Sequence, residues 1–257
     1  MEPLFAHWLD KSMHFIEHTF SPTRLLLAWQ APDGENCDRS PCVIGELRDQ
    51  DGVVSFRYLT DTEDFRRAVN LGFVCYPAFR KLHGEYTDGV IDSFLRRLPP
   101  RSRGDFPQFL EQWRLPATVG LSHFALLAYT GAKLPSDGFS VVWPLDEVAA
   151  PGEVLLEVAG FRYQDMGVND VVIGAPVHFV LEPENAHDNK AVRMEMAGRR
   201  IGYVKRLQRN AVSSWLTRYD VRATLERFNG TPDRPIIYVF CRLTERRPIS
   251  RPSIAVG

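Results

Sequence analysis

The stretch from Pro176 to Val204, PVHFVLEPENAHDNKAVRMEMAGRRIGYV, decides how this chain is read. Residues 176–181, 191–196 and 200–204 are apolar, strand-length runs, and the polar segment 182–190 between the first two reads as a turn. Upstream, residues 154–161 form one more such run, and downstream two others follow at 221–228 and 235–243. Between them residues 207–216 carry Val212, Trp215 and Leu216 on one side, as a helix packed on a sheet does. Six short strands around one helix predict a small β-barrel of the OB or SH3 type.

Working towards the N-terminus, residues 146–152 (DEVAAPG) read as a linker. Ahead of it the pattern is mixed. Residues 3–20 space Leu4, Phe5, Trp8, Leu9, Ile16 and Phe20 as in an amphipathic helix or pair of turns, which Ser21-Pro22 stops. Short apolar runs at 25–29 and 42–47 follow, and Asp49-Gln50-Asp51-Gly52 leads into the alternating 53–58, a hairpin signal. Helices are predicted over 87–97, 106–113 and 123–129, the last closed by Gly131, with a strand over 138–144. The fold class expected is therefore α+β: a helical extension (1–24), a mixed α+β domain (25–146), a six-stranded barrel with one helix (153–243) and a mobile tail (244–257).

Composition narrows the function classes. With 257 residues, 44% hydrophobic and 25% charged, the chain is ordinary globular material, neither disordered nor a disulfide framework. No run approaches 18 apolar residues, and Glu2, His7 and Asp10 interrupt any leader-like stretch, so no membrane association and a cytoplasmic location are expected. Cys37, Cys42, Cys75 and Cys241 lack paired spacing, and Cys75 and Cys241 read as small buried hydrophobes. The net charge of −1 conceals an asymmetry: residues 1–150 hold 15 basic and 20 acidic side chains, a net of −5, and residues 151–257 hold 16 and 12, a net of +4. Residues 196–219 contain Arg199, Arg200, Lys205, Arg206, Arg209 and Arg218 and no acid, a concentration of positive potential suited either to a polyanion or to a solvated basic face.

Catalytic signatures are sparse. His14-Phe15-Ile16-Glu17-His18 matches the H-x-x-E-H zinc pattern, but no third ligand is marked and no cleft accompanies it, so these are read as surface histidines. There is no phosphate-binding Gly-rich loop followed by Lys-Ser/Thr, no G-x-S-x-G elbow and no kinase triplet. The expectation is a protein that is not an enzyme, with no catalytic residues, no metal and no cofactor.

Gly160-Phe161-Arg162-Tyr163 at the end of the first strand of the second half, the turn 182–192, and Arg200-Ile201-Gly202-Tyr203-Val204-Lys205-Arg206 occur in the order and spacing of a known module. Residues 153–243 resemble the HIRAN domain, whose pattern is a Gly-x-Arg-Tyr strand end, a Pro-x-Asn-x-x-Asp-x-x-Ala-Val turn and an Ile-Gly-Tyr-Val strand followed by basic residues. The resemblance implies DNA binding, in particular capture of a single-stranded end with a 3′-hydroxyl. Arg162, Lys205 and Arg206 would then neutralise phosphates, and Tyr163 and Tyr203 would stack on bases. Asp188 would accept the terminal hydroxyl, while His187, where an aromatic is common, would stack or hydrogen-bond, with Asn189 beside it. Gln164 stands where some members carry a second tyrosine. Structural readings stand beside these: Asp188 as the cap of its own turn, Tyr203 as a core residue.

The N-terminal half resembles, through mostly apolar positions, the N-terminal subdomain of HipA-type toxin kinases: residues 43–47, 54–58, 94–100, 124–131 and 138–141 follow its order. Gly131-Ala132-Lys133 replaces the family's Gly-x-Asp, and the kinase lobe is absent from this sequence. This resemblance implies a protein-interaction module, and the combined expectation is a DNA-binding accessory subunit in CRISPR-associated, phage-defence or repair work, or alternatively a regulatory, antitoxin-like subunit of a HipA-type kinase.

Overall fold

A computed structural model of the chain describes residues 13–32, 40–134, 137–231 and 234–246. They fall into two units. The first takes in Ser12–Val148 together with Lys205–Gln208, the second Ala149–Val204 and Arg209–Gly257. No described helix is long and apolar enough to cross a membrane.

In the first unit, β1 (Arg24–Trp29), β2 (Cys42–Gln50), β3 (Val53–Tyr58), β4 (Glu85–Tyr86) and β5 (Phe139–Val142) form an antiparallel sheet in the order β4-β3-β2-β1-β5. The predicted hairpin is there. Gln50 faces Val53, so the turn is Asp51-Gly52, with φ values of 52° and 87°, both positive as a type I′ turn requires. Asp49 secures it by accepting from the Gly52 amide at 2.9 Å. Phe56 and Tyr58 of β3 enter an aromatic core with Phe65, Phe73, Tyr76, Phe79 and Phe94. The Tyr58 hydroxyl donates to Phe79 O (2.6 Å) and accepts from the Tyr76 amide (2.7 Å), so its oxygen is buried without loss of hydrogen bonding.

The helices of this unit are α1 (Glu63–Asn70), α2 (Val90–Leu95), α3 (Phe106–Gln112) and α4 (His123–Thr130). The last three lie inside or beside their predicted spans, and Gly131 at φ 69° ends α4. Helix α1 is absent from the sequence reading. Its signal was the cap: Thr62 Oγ1 accepts from the Phe65 amide, Glu63 and Asp64 occupy the first turn, and Phe65 and Ala68 are buried. Conversely, of the helix or pair of turns expected over 3–20, the helix does not form among the described residues. Residues 3–12 lie outside the described residues, and 13–23 hold no helix. Ile16 is 1% exposed and donates its amide to Arg114 O (2.7 Å), and the Phe20 amide donates to the Tyr129 hydroxyl (2.8 Å). The apolar spacing marks what is buried, but these amides find partners in distant segments, and tertiary contact overrides local propensity.

In the second unit, β6 (Gly152–Glu157), β7 (Pro176–Glu182), β8 (Ala191–Met196), β9 (Arg199–Tyr203), β10 (Tyr219–Thr231) and β11 (Arg234–Glu245) form an antiparallel sheet in the order β6-β11-β10-β7-β8-β9, with α5 (Arg209–Arg218) between β9 and β10. The six strands and single helix match the expectation, but the barrel is not closed. Its edges, β6 and β9, are joined through one bridge, in which Ala159 and Tyr203 exchange amide hydrogen bonds of 2.8 and 2.9 Å. Pairing stops there because Gly160, at φ 77°, turns the chain into a 3-10 turn over Phe161–Tyr163. The strand expected over 154–161 therefore ends at Glu157. Val154, Leu156, Val192, Met194, Ile201, Leu225, Val239 and Cys241 fill the core, which α5 covers with Val212 and Trp215. Burial pushes the Cys241 thiol up, in keeping with a packing role. The expected mobile tail starts differently: Thr244 and Glu245 belong to β11, and Arg246 donates to Tyr219 O and Leu216 O. Residues 247–257 lie outside the described residues.

Candidate nucleic-acid interface

The turn between β7 and β8, together with Arg193 of β8 and Arg200 and Tyr203 of β9, encloses an open depression of about 580 Å³. The turn is built by its own side chains. Asn185 Oδ1 accepts from the His187 and Asp188 amides (3.0 and 3.2 Å), and Asp188 Oδ1 accepts from the Lys190 amide (3.0 Å). The other Asp188 oxygen pairs with Arg209, at the start of α5. Asp188 thus fills the capping role that the sequence left open, and it also ties the turn to the helix.

Glu182 is the hub of the depression. It accepts from Arg193 (2.6 Å), from Asn185 Nδ2 (2.7 Å) and from the Tyr203 hydroxyl. Burial raises its carboxyl, but the hydrogen bonds from Asn185 and Tyr203 and the positive charge of Arg193 outweigh that and hold it below its ordinary value. Arg193 also pairs with Glu195 at 2.9 Å. Above this network Arg200 donates to the Tyr203 hydroxyl at 3.1 Å and to Gln164 Oε1, with its guanidinium 5.7 Å from the Tyr203 ring centre.

Gln164 connects this cluster to the 3-10 turn, because its amide nitrogen donates to Gly160 O at 2.9 Å. On that turn Tyr163 is 71% exposed, and the Arg162 guanidinium lies 4.6 Å from its ring centre while donating to its hydroxyl. An exposed phenol with a cation on one face leaves an aromatic surface on which a flat ring can stack.

Of the residues selected from the sequence, His187 and Tyr203 line the depression, and Asp188 and Asn189 lie on the turn that forms its rim. Arg162 and Tyr163 are linked to it through Gln164 and Arg200. Tyr203 is partly exposed, and its backbone alone serves the sheet. Lys205 and Arg206 are placed elsewhere, with the first unit, where Arg206 pairs with Asp64 and donates to Pro41 O. Arg206 has no acid near it in sequence, but it has one in space. Glu182, Asn185, Arg193 and Arg200 also line the depression, although no sequence motif marks them as site residues. Arg200 stood in the acid-free basic block, but only the β8–β9 register puts it beside the turn.

In this β-rich unit aromatic, cationic and carboxylate side chains thus line one open depression. Residues 151–243 match the family model of the HIRAN domain, so this unit carries a HIRAN domain. Among solved structures the chain is similar to the HIRAN domain of human HLTF, at 18% identity and a TM-score of 0.31, over 35% of this chain and 74% of that one. It is also similar to a protein from Lactobacillus plantarum, at 18% identity and a TM-score of 0.30, over 35% and 92% of the two chains. No curated protein matches the chain.

Proposed function

We propose that this protein is a non-enzymatic DNA-binding protein whose HIRAN domain takes single-stranded DNA or a DNA 3′ end into the depression bounded by Tyr203, His187 and Arg200. The observation that carries this reading is the convergence, inside the HIRAN match, of an exposed Arg162–Tyr163 stack, a half-exposed Tyr203 and a cation-bearing rim. Bases would stack on the two tyrosines and phosphates would meet the arginines. Asp188, paired with Arg209, would offer a 3′-hydroxyl a remaining lone pair, to which a 3′-phosphate could not donate.

The test is binding of fluorescent single strands ending in 3′-hydroxyl or 3′-phosphate across a salt series, for wild type and for Tyr163→Ala with Tyr203→Ala. Stacking contributes about 1–3 kcal/mol per base, so the double variant should lose at least tenfold in affinity. Absence of wild-type binding at low salt overturns the proposal. The acidic first unit is read as the protein-interaction part, on its resemblance to the HipA-type subdomain, and co-purification with a kinase encoded beside the gene would favour the regulator alternative.

A further inference from the structure

Of the two arginines that line the depression, Arg193 is neutralised by Glu182 and Glu195, whereas Arg200 bonds only to the uncharged Gln164 and Tyr203. Arg200 is exposed, and its Nη2 has no partner among the described residues. Its fork is nevertheless held at two points. Gln164 Oε1 accepts from Nε, and Gln164 is itself anchored by its amide on Gly160 O, while the Tyr203 hydroxyl accepts from Nη1.

That arrangement separates charge from orientation. Neutral acceptors fix the plane of the guanidinium without cancelling its charge, and the open Nη2 carries two N–H groups that can donate to a phosphate. Within hydrogen-bonding reach of the same hydroxyl stands Glu182, whose ionised carboxylate is already shared among Arg193, Asn185 and Tyr203. The acid is therefore occupied and does not collapse onto Arg200. A lysine at this position could not be held at Nε and Nη1 together, since it presents one nitrogen.

We propose that Arg200 is a phosphodiester-contacting residue of the depression, and that Gln164 is the residue that positions it. This rests on the DNA-binding reading above and adds to it which charge grips the backbone next to the base stacked on Tyr203. A tyrosine in place of Gln164 would offer stacking area but no amide to hold the arginine, so glutamine shifts the site towards gripping a phosphate.

The experiment measures binding of an oligo(dT) single strand across a salt series for the full chain: wild type, Arg200→Ala, Arg200→Lys, Gln164→Leu and the Arg200→Ala/Gln164→Leu double variant. Thermal melting serves as the check on folding. Losing one phosphate contact on a single strand lowers the log–log salt slope by about 0.7, and Arg200→Ala should show that change together with weaker binding. Arg200→Lys should recover the slope but only part of the affinity. Gln164→Leu should weaken binding in the wild-type background and have no further effect once Arg200 is alanine, a coupling that a merely structural role at Gly160 would not produce. Wild-type binding with an unchanged slope in Arg200→Ala overturns this assignment while the DNA-binding reading stands. An additive Gln164→Leu effect overturns the positioning role. If the wild type does not bind at all, it is the DNA-binding reading that fails.

Discussion

At the residue scale, Glu46 shows how much one side chain can carry. It is 3% exposed on the sheet of the first unit, and it accepts from Arg24 (2.6 Å) on the strand before it, Arg48 (2.9 Å) on its own strand and Arg57 (2.9 Å) on the strand after it. Burial raises its carboxyl, but the hydrogen bonds from Arg48, Arg24 and Arg57 win and bring it down to about 2. A folded value below the unfolded one means that the stabilisation is complete above about 4.5 and is lost as the pH falls towards about 2. Glu46→Gln is therefore expected to cost about 2 kcal/mol at neutral pH, the scale of hydrogen bonds to a charged group. The arginines stay substantially exposed, at 38–50%, so no orphaned buried charge adds to that cost. Urea denaturation of both proteins between pH 7 and pH 2.5 checks it: the gap should narrow on acidification, and a constant gap would contradict the linkage. In the sequence Glu46 sits unremarked in an apolar run, because the cross-strand pairing that gives it three arginines is not a local property.

At the element scale, strand β9 is where local sequence and site geometry meet. Gly202 has φ 141°, and a Cβ there would lie 2.4 Å from Ala159 O and 2.6 Å from a Val158 methyl. The glycine of the Ile-Gly-Tyr-Val run thus lets the chain after β6 come close enough to bridge to Tyr203. Gly202→Ala should push these segments apart, destabilise the second unit by about 1–3 kcal/mol as overpacking does, and weaken single-strand binding by displacing Tyr203. Thermal melting and the oligonucleotide titration, run on the same sample, measure both effects. Unchanged melting and binding would show that the bridge is dispensable. The strands themselves were legible from period and punctuation, and helix α5 from its apolar side. The open edge was not, because whether six strands close depends on where one glycine turns the chain after β6.

For the whole molecule, the net charge of −1 is divided between an acidic first half and a basic second half, and the basic half contains the HIRAN domain. A chain of this balance has little long-range attraction for a polyanion, so its affinity must come from the local site. Blunt duplex DNA without single-stranded ends is accordingly expected to bind no tighter than roughly 1 µM at physiological salt, the tight end of non-specific association, while a single strand binds more tightly. Equal affinity for both in the same titration would contradict a stacking site. By itself, the sequence determined the strand-and-helix order of the second half, the HIRAN resemblance, the Asp51-Gly52 hairpin and the charge asymmetry, because these follow from local period, turn chemistry and composition. Tertiary structure alone decided that residues 13–23 form no helix, that the sheet stays open, that Arg206 pairs with Asp64, and that Arg200, Gln164 and Tyr203 share one cluster. Each of these depends on which distant group satisfies a hydrogen bond or a charge, and the fold makes that choice.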